Sequence, residues 1–153
     1  MFTANAAGLK LKVNSLRQEL KHVEAGIFTI QESHFRKKGK IAIAEWEIFE
    51  AIRNKAGGGT MIGVKKALEP ILVEEYSGEI ELLVVEAKMS DKHVRIMLGY
   101  GPQETWPLEQ RLPFFEALEE EITKAGLNGT SVIISFYANS KLGTEWIPKD
   151  QHK

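Results

Sequence analysis

The chain has 153 residues, 43% hydrophobic and 27% charged, enough for one domain with a sizeable core. Its net charge of −1 creates no global positive field, so any nucleic-acid contact must come from local basic clusters. The absence of cysteine excludes disulfides, thiolate metal sites and cysteine nucleophiles; with no signal peptide or membrane-length apolar run, an intracellular location is expected.

In chain order, Thr3-Ala4-Asn5 reads as a short strand ending on Asn5. Leu9, Val13, Leu16, Leu20 and Val23 then follow the spacing of one helix face, with Gly26 placed to end the helix. Residues 27–31 are apolar and β-branched and predict a buried strand running straight into Glu32-Ser33-His34. That polar end falls at the carboxyl edge of a sheet, where open α/β sheets bind ligands. Glu32 has two readings there: a ligand for a hard cation such as Mg²⁺, or a strand end in solvent.

Arg36-Lys37-Lys38-Gly39-Lys40 is the strongest basic cluster, followed by Lys65-Lys66; each is either a nucleic-acid contact or a solvated loop. Over 41–52 the alternation is weak and fits strand or helix, with a strand near 47–51 the expectation. Gly57-Gly58-Gly59 is not followed by Gly-Lys-Ser/Thr, so it predicts a flexible hairpin connection into a strand at 60–64 rather than a phosphate cradle. Strands over 72–76, 79–88 and 92–100 are separated by Ser77-Gly78 and Ser90-Asp91. Leu82 to Val85 are apolar on successive residues, which predicts cover on both faces. Gly99-Tyr100-Gly101-Pro102-Gln103 puts an aromatic at the sheet edge.

A second helix is predicted from Pro113 at its first position, burying Leu112, Phe115, Leu118 and Ile122 and stopping at Gly126. Glu119-Glu120-Glu121 would be its solvated face. Asn128-Gly129-Thr130 reads as a turn, 131–137 as a strand, 138–143 as a loop and 144–153 as a polar tail.

Five of these segments, in this order, resemble the exonuclease–endonuclease–phosphatase superfamily, and within it the endonuclease domains of LINE-type retrotransposons. They are the Asn5 segment, Ile30-Gln31-Glu32-Ser33-His34, the run from Gly57 to Lys66, Gly99-Tyr100-Gly101-Pro102-Gln103, and Val132-Ile133-Ile134 through Asn139-Ser140-Lys141-Leu142-Gly143. The resemblance implies an α/β (α+β) fold: part of a four-layer α/β/β/α sandwich with mixed sheets. The 153 residues would form a single domain covering the amino-terminal two-thirds of the family fold. It also implies a Mg²⁺-dependent nucleic-acid phosphodiesterase, with Mn²⁺ as a possible substitute. By that resemblance Glu32 is the principal metal ligand, and Asn5 helps place the metal and the scissile phosphate. Tyr100 lines the site, and Asn139 donates to phosphate oxygens.

Two departures change the expectation. The family's Gly-Asp pair is Phe136-Tyr137 here, and a phenol with pKa about 10 is a poor base near neutrality. Nothing after Gly143 resembles the family's terminal Ser-Asp-His motif, and His152 lies in a polar tail. The expected protein is therefore a feeble or inactive nuclease that binds Mg²⁺ weakly. An exposed edge at 131–137 would favour a homodimer or a complementing chain. The alternatives are a non-catalytic binding or self-assembling module, half of a split nuclease, and a phosphatase of the same superfamily.

Overall fold

Two four-stranded sheets pack face to face with a helix on each outer side. The computed structural model describes residues 2–5, 13–22, 24–31, 33–35, 37–39, 41–52, 58–76 and 80–137, with backbone alone at 2–5, 136 and 137. The first sheet has β1 (Phe2–Asn5) parallel to β2 (Ile27–Gln31), reached through α1 (Val13–His22). β3 (Trp46–Ala51) and β4 (Thr60–Lys65) complete it as an antiparallel hairpin, in the order β1-β2-β4-β3. The second sheet is the antiparallel meander β5 (Ile71–Tyr76), β6 (Glu81–Met89) and β7 (Lys92–Tyr100). Chain return through α2 (Leu108–Leu127) adds β8 (Ser131–Tyr137) parallel to β7.

Side-chain alternation sorts the residues into layers. Leu16 and Leu20 of α1 pack on Phe28, Ile30, Trp46 and Met61, the outer face of the first sheet. Ile27, Ile62 and Val64 on its other face meet Leu83, Val85, Ile96 and Leu98 of the second sheet. Leu82, Val84 and Met97 then turn outward under Ala117 of α2. Leu82 to Val85 are thus covered on both faces, as their unbroken apolar run predicts. Neither helix is long and apolar enough to cross a membrane.

Gly26 does not end α1, which stops at His22; its carbonyl accepts the Lys65 N–H at 2.9 Å on the way into β2. Leu9 and Val23 lie outside the described residues. The larger departures are in α2. It begins at Leu108, so Pro113 sits inside the helix rather than at its first position. The carbonyl that Pro113 cannot satisfy is that of Glu109, an exposed residue, so water can take the missing donor's place. The helix passes Gly126 and ends in a paired cap: Gly129 N–H bonds to Gly126 O at 3.2 Å and Thr130 N–H to Ala125 O at 2.9 Å. Gly129 has φ +65°, the left-handed conformation this cap requires.

The buried face of α2 is Phe114, Ala117, Glu121 and Ala125, not the expected stripe. Leu112, Phe115 and Ile122 are 43%, 47% and 39% exposed, and of that stripe Leu118 alone packs inward. An ionic anchor explains the rotation. Arg95 projects from β7 towards the helix, where its Nη1 donates to Glu121 Oε2 at 3.0 Å and to the Glu121 carbonyl at 3.2 Å. Arg95 Nη2 reaches Glu86 at 3.3 Å, and the Tyr76 hydroxyl donates to Glu121 Oε1 at 3.0 Å. Glu121 is 1% exposed, so it is no part of a solvated face. A buried carboxylate must keep its partners, and removing one partner of such a pair generally costs about 3–5 kcal/mol. That penalty outweighs burying one more leucine, at about 1.5–3 kcal/mol. Small residues assist: a Cβ on Gly99 would come within 2.8 Å of the Phe114 ring.

Burial pushes the Tyr76 phenol above its ordinary value of 10, reinforced by the hydrogen bond to Glu121 and by neighbouring carboxylates. A folded-state pKa above the unfolded one gives stability that is complete below the unfolded value and is lost as pH rises through the folded one. Denaturant unfolding followed from about pH 8 to 12 should show wild type losing stability above pH 10, with Tyr76→Phe losing less. Parallel curves would show that the phenol is not held this way.

Candidate active site at the carboxyl end of the sheets

β1 and β2 run parallel and end together at Asn5 and Gln31, which are register partners. β7 and β8 run parallel and end together at Tyr100 and Tyr137. One contact brings the two ends to the same side of the sandwich: the Gly59 N–H, just before β4, donates to Glu81 Oε2 at the start of β6, at 3.4 Å. Thr60 is the register partner of Gln31, and Glu81 that of Tyr100. Gln31, Thr60, Glu81 and Tyr100 continue the rows that face the space between the sheets, so they form a polar cap on the apolar interior. Gln31, Thr60 and Glu81 are buried and Tyr100 is partly buried. The Thr60 hydroxyl has no hydrogen-bond partner among the described residues.

The glycine run holds this edge together. Past Gln31 the chain keeps pairing with it, Ser33 N–H to Gly59 O at 3.1 Å and His34 N–H to Gly58 O at 3.0 Å. Gly59 has φ +85°, and a Cβ there would lie 2.6 Å from Ser33 Oγ. The run is therefore a hairpin connection, as its sequence predicts, whose second half is fixed against the segment after β2.

Of the residues singled out in the sequence, Asn5 stands at the end of β1 and Tyr100 at the end of β7, on the two sheets but at one end of the molecule. Glu32, directly after Gln31, and Asn139, two residues past β8, lie outside the described residues. Sequence reading passed over Glu81, Thr60 and Gln31. The available signal was period two: Glu81 heads the row Leu83, Val85, Ala87, which is otherwise apolar.

Both basic clusters have other attachments. Lys38 pairs with Glu75 of β5, and Gly39 N–H donates to Glu50 of β3 at 2.8 Å. Burial pushes the Glu50 carboxyl up, against the opposing pull of that N–H and of Lys38. Lys37 is exposed, while Arg36 and Lys40 lie outside the described residues. Lys65 lies at the opposite end of β4 from Thr60, with its ammonium 5.7 Å from the Trp46 ring centroid.

No group of three or more His, Asp or Glu among the described residues is placed to hold a metal. A hard cation asks for less than that, one or two carboxylates with further oxygen donors. The Glu81 carboxylate, the Thr60 hydroxyl and the Gln31 amide, all buried at this edge, are oxygens of the kind such a cation takes.

No protein-family model matches the chain, and no curated protein does. Solved structures do. The NExo 3′ phosphatase from Neisseria, bound to product DNA hairpin, superposes with a TM-score of 0.63 at 18% identity, over 90% of this chain and 56% of that one. The endonuclease domain of TRAS1, a telomere-specific non-LTR retrotransposon, gives 0.58 at 20% identity, over 91% and 58%. The Xenopus laevis APE2 catalytic domain gives 0.65 at 15% identity, over 90% and 57%. The fold is that of the exonuclease–endonuclease–phosphatase proteins. This chain thus carries a mixed α+β sandwich of that fold and spans little more than half the length of the structures it matches.

Within this sandwich the Gly59 position has a direct stability test. A side chain at that φ is strained by about 1–3 kcal/mol, before the collision with Ser33 Oγ is counted. Gly59→Ala should lower the denaturant midpoint clearly, whereas Gly39→Ala, at φ +75° with nothing within 4 Å of an added Cβ, should show the backbone strain alone. Equal losses in the two variants would show that Gly59 and Ser33 are not in tight contact.

Proposed function

We propose that this chain is a divalent-metal-binding phosphodiesterase module that engages nucleic-acid backbone with impaired turnover. One observation carries the reading: the carboxyl ends of β1, β2, β7 and β8 meet at one end of the sandwich, around a buried carboxylate. The Neisseria NExo structure holds a product DNA hairpin and the TRAS1 domain is an endonuclease, which supports a nucleic-acid substrate on this fold. The reading takes residues 1–153 as a single domain.

In this proposal Glu32 and Asn5 hold the metal, which when bound supplies Lewis-acid polarisation of the phosphoryl oxygens. Asn139 donates to a phosphate oxygen, where preformed donors stabilise developing charge, and Tyr100 bounds the site from the second sheet. The weak point is residue 137, a tyrosine where the resemblance expects aspartate. A phenol near neutral pH does not take a proton from water, and residues that act as one catalytic unit fail together.

Plasmid nicking with Mg²⁺ or Mn²⁺ should stay at background in wild type, in Glu32→Gln and in Tyr137→Asp, while calorimetry detects weak metal binding that Glu32→Gln removes. Clear nicking lost in Glu32→Gln would overturn the impairment. Metal binding indifferent to Glu32→Gln would overturn the metal site.

A second reading, self-association, is favoured by the surface beside β8. Among the described residues that strand is an edge of the second sheet, and its Ile134 is 41% exposed on the face that carries α2. Leu108, Leu112, Phe115 and Ile122 continue an exposed apolar flank along the helix. An open edge beside an apolar strip suits a second copy, pairing β8 with β8 across a two-fold axis. Light scattering over a dilution series should give a dimer that Ile134→Asp or Phe115→Glu dissociates. A monomer at every concentration would remove this reading.

A further inference from the structure

We propose that α2 is the seam of a dimer, packed antiparallel on the α2 of a second copy about Phe115, with Arg111 of each copy facing Glu119 of the other. The inference rests on the self-association reading above and gives it a surface, a direction and a pair of charges. The Arg95–Glu121 anchor turns α2 so that Leu108, Leu112, Phe115 and Ile122 stand in solvent. With Glu119 they fall at spacings of four, three, four and three, the repeat by which one helix packs along another. The stripe runs about 21 Å along the helix axis. Burial against a partner recovers what solvent exposure of such a strip costs.

The stripe faces one way. The Tyr76 hydroxyl donates from β5 to Glu121, and Lys124 pairs with both Glu121 and Glu120, so that flank of α2 is turned towards β5. Phe115 and Ile122 fall on the opposite flank, beside β8, which among the described residues is the outermost strand of its sheet. A two-fold axis that sets β8 against β8 therefore turns the two stripes towards each other on one face of the joined sheet, and runs the helices antiparallel. Charge favours the same direction. Arg111 stands one turn before Phe115 and Glu119 one turn after it. An antiparallel pair centred on Phe115 sets Arg111 against Glu119 twice, and Leu108 against Ile122 twice. A parallel pair would set arginine on arginine and glutamate on glutamate. Glu116 falls beside its own copy in either direction, so it selects neither. Among the described residues Arg111 makes no ion pair and its Nε has no hydrogen-bond partner, and Glu119 is exposed. A polar residue within an apolar seam fixes direction in this way.

The chain has no cysteine, so introduced thiols report on the seam directly. Sedimentation of the intact chain should show a reversible dimer. In that dimer Phe115→Cys should crosslink to its own copy through a short bis-maleimide. Leu108→Cys should crosslink to Ile122→Cys when the two are mixed, but not to itself. Glu120→Cys, on the flank towards β5, should stay uncrosslinked. Arg111→Glu and Glu119→Arg should each weaken the dimer about threefold to tenfold, and the variant carrying both should recover it. A dimer in which Phe115→Cys does not crosslink, or in which the double variant is weaker than either single one, would overturn the seam and leave self-association through β8 standing. Self-crosslinking of Leu108→Cys would overturn the antiparallel direction. A monomer at every concentration would overturn both readings.

Discussion

The apolar interior between the two sheets is the constraint on which everything else depends. Ile27, Ile62 and Val64 on one side, and Leu83, Val85, Ile96 and Leu98 on the other, set how far apart the sheets stand and how they are aligned. Facing sheets of this kind pack about 10 Å apart, so residues at the end of each row face one another across a narrow gap. Because β1 with β2 and β7 with β8 are parallel pairs, the rows end together. Hydrophobic burial is non-directional, yet here it delivers polar groups to a defined place. The candidate site is the polar rim of that core.

The outer layers follow different rules. α1 docks by ordinary amphipathic packing, with Leu16 and Leu20 against Phe28 and Trp46. α2 docks by an ionic anchor. Arg95, with Glu121 and Glu86 around it, makes one rotation of the helix far better than its neighbours, at the cost of leaving Leu112, Phe115 and Ile122 in water. Charge burial outweighs apolar burial here because a stranded charge costs more than an exposed leucine or phenylalanine does. The exposed flank then lies beside β8, which among the described residues is the outermost strand of the second sheet.

Read alone, the sequence determined the element order and the strands. The buried strand at 27–31, the hairpin into 60–64, the three-stranded meander and the last strand at 131–137 all stand where their patterns put them. Period-two alternation and turn pairs such as Ser90-Asp91 are local signals, and local signals survive folding. The resemblance likewise led to the sandwich that the solved structures share. Tertiary structure decided which helix face is buried and which polar residues meet. Glu121 looked like solvent face because three consecutive glutamates carry no information about Arg95, which lies on another element. Glu81 looked like an ordinary strand residue because its contact with Gly59 requires two sheets to stack, a contact between positions that no local period connects. Periodicity reports which side of an element is apolar; what lies opposite that side is set only when the chain has folded.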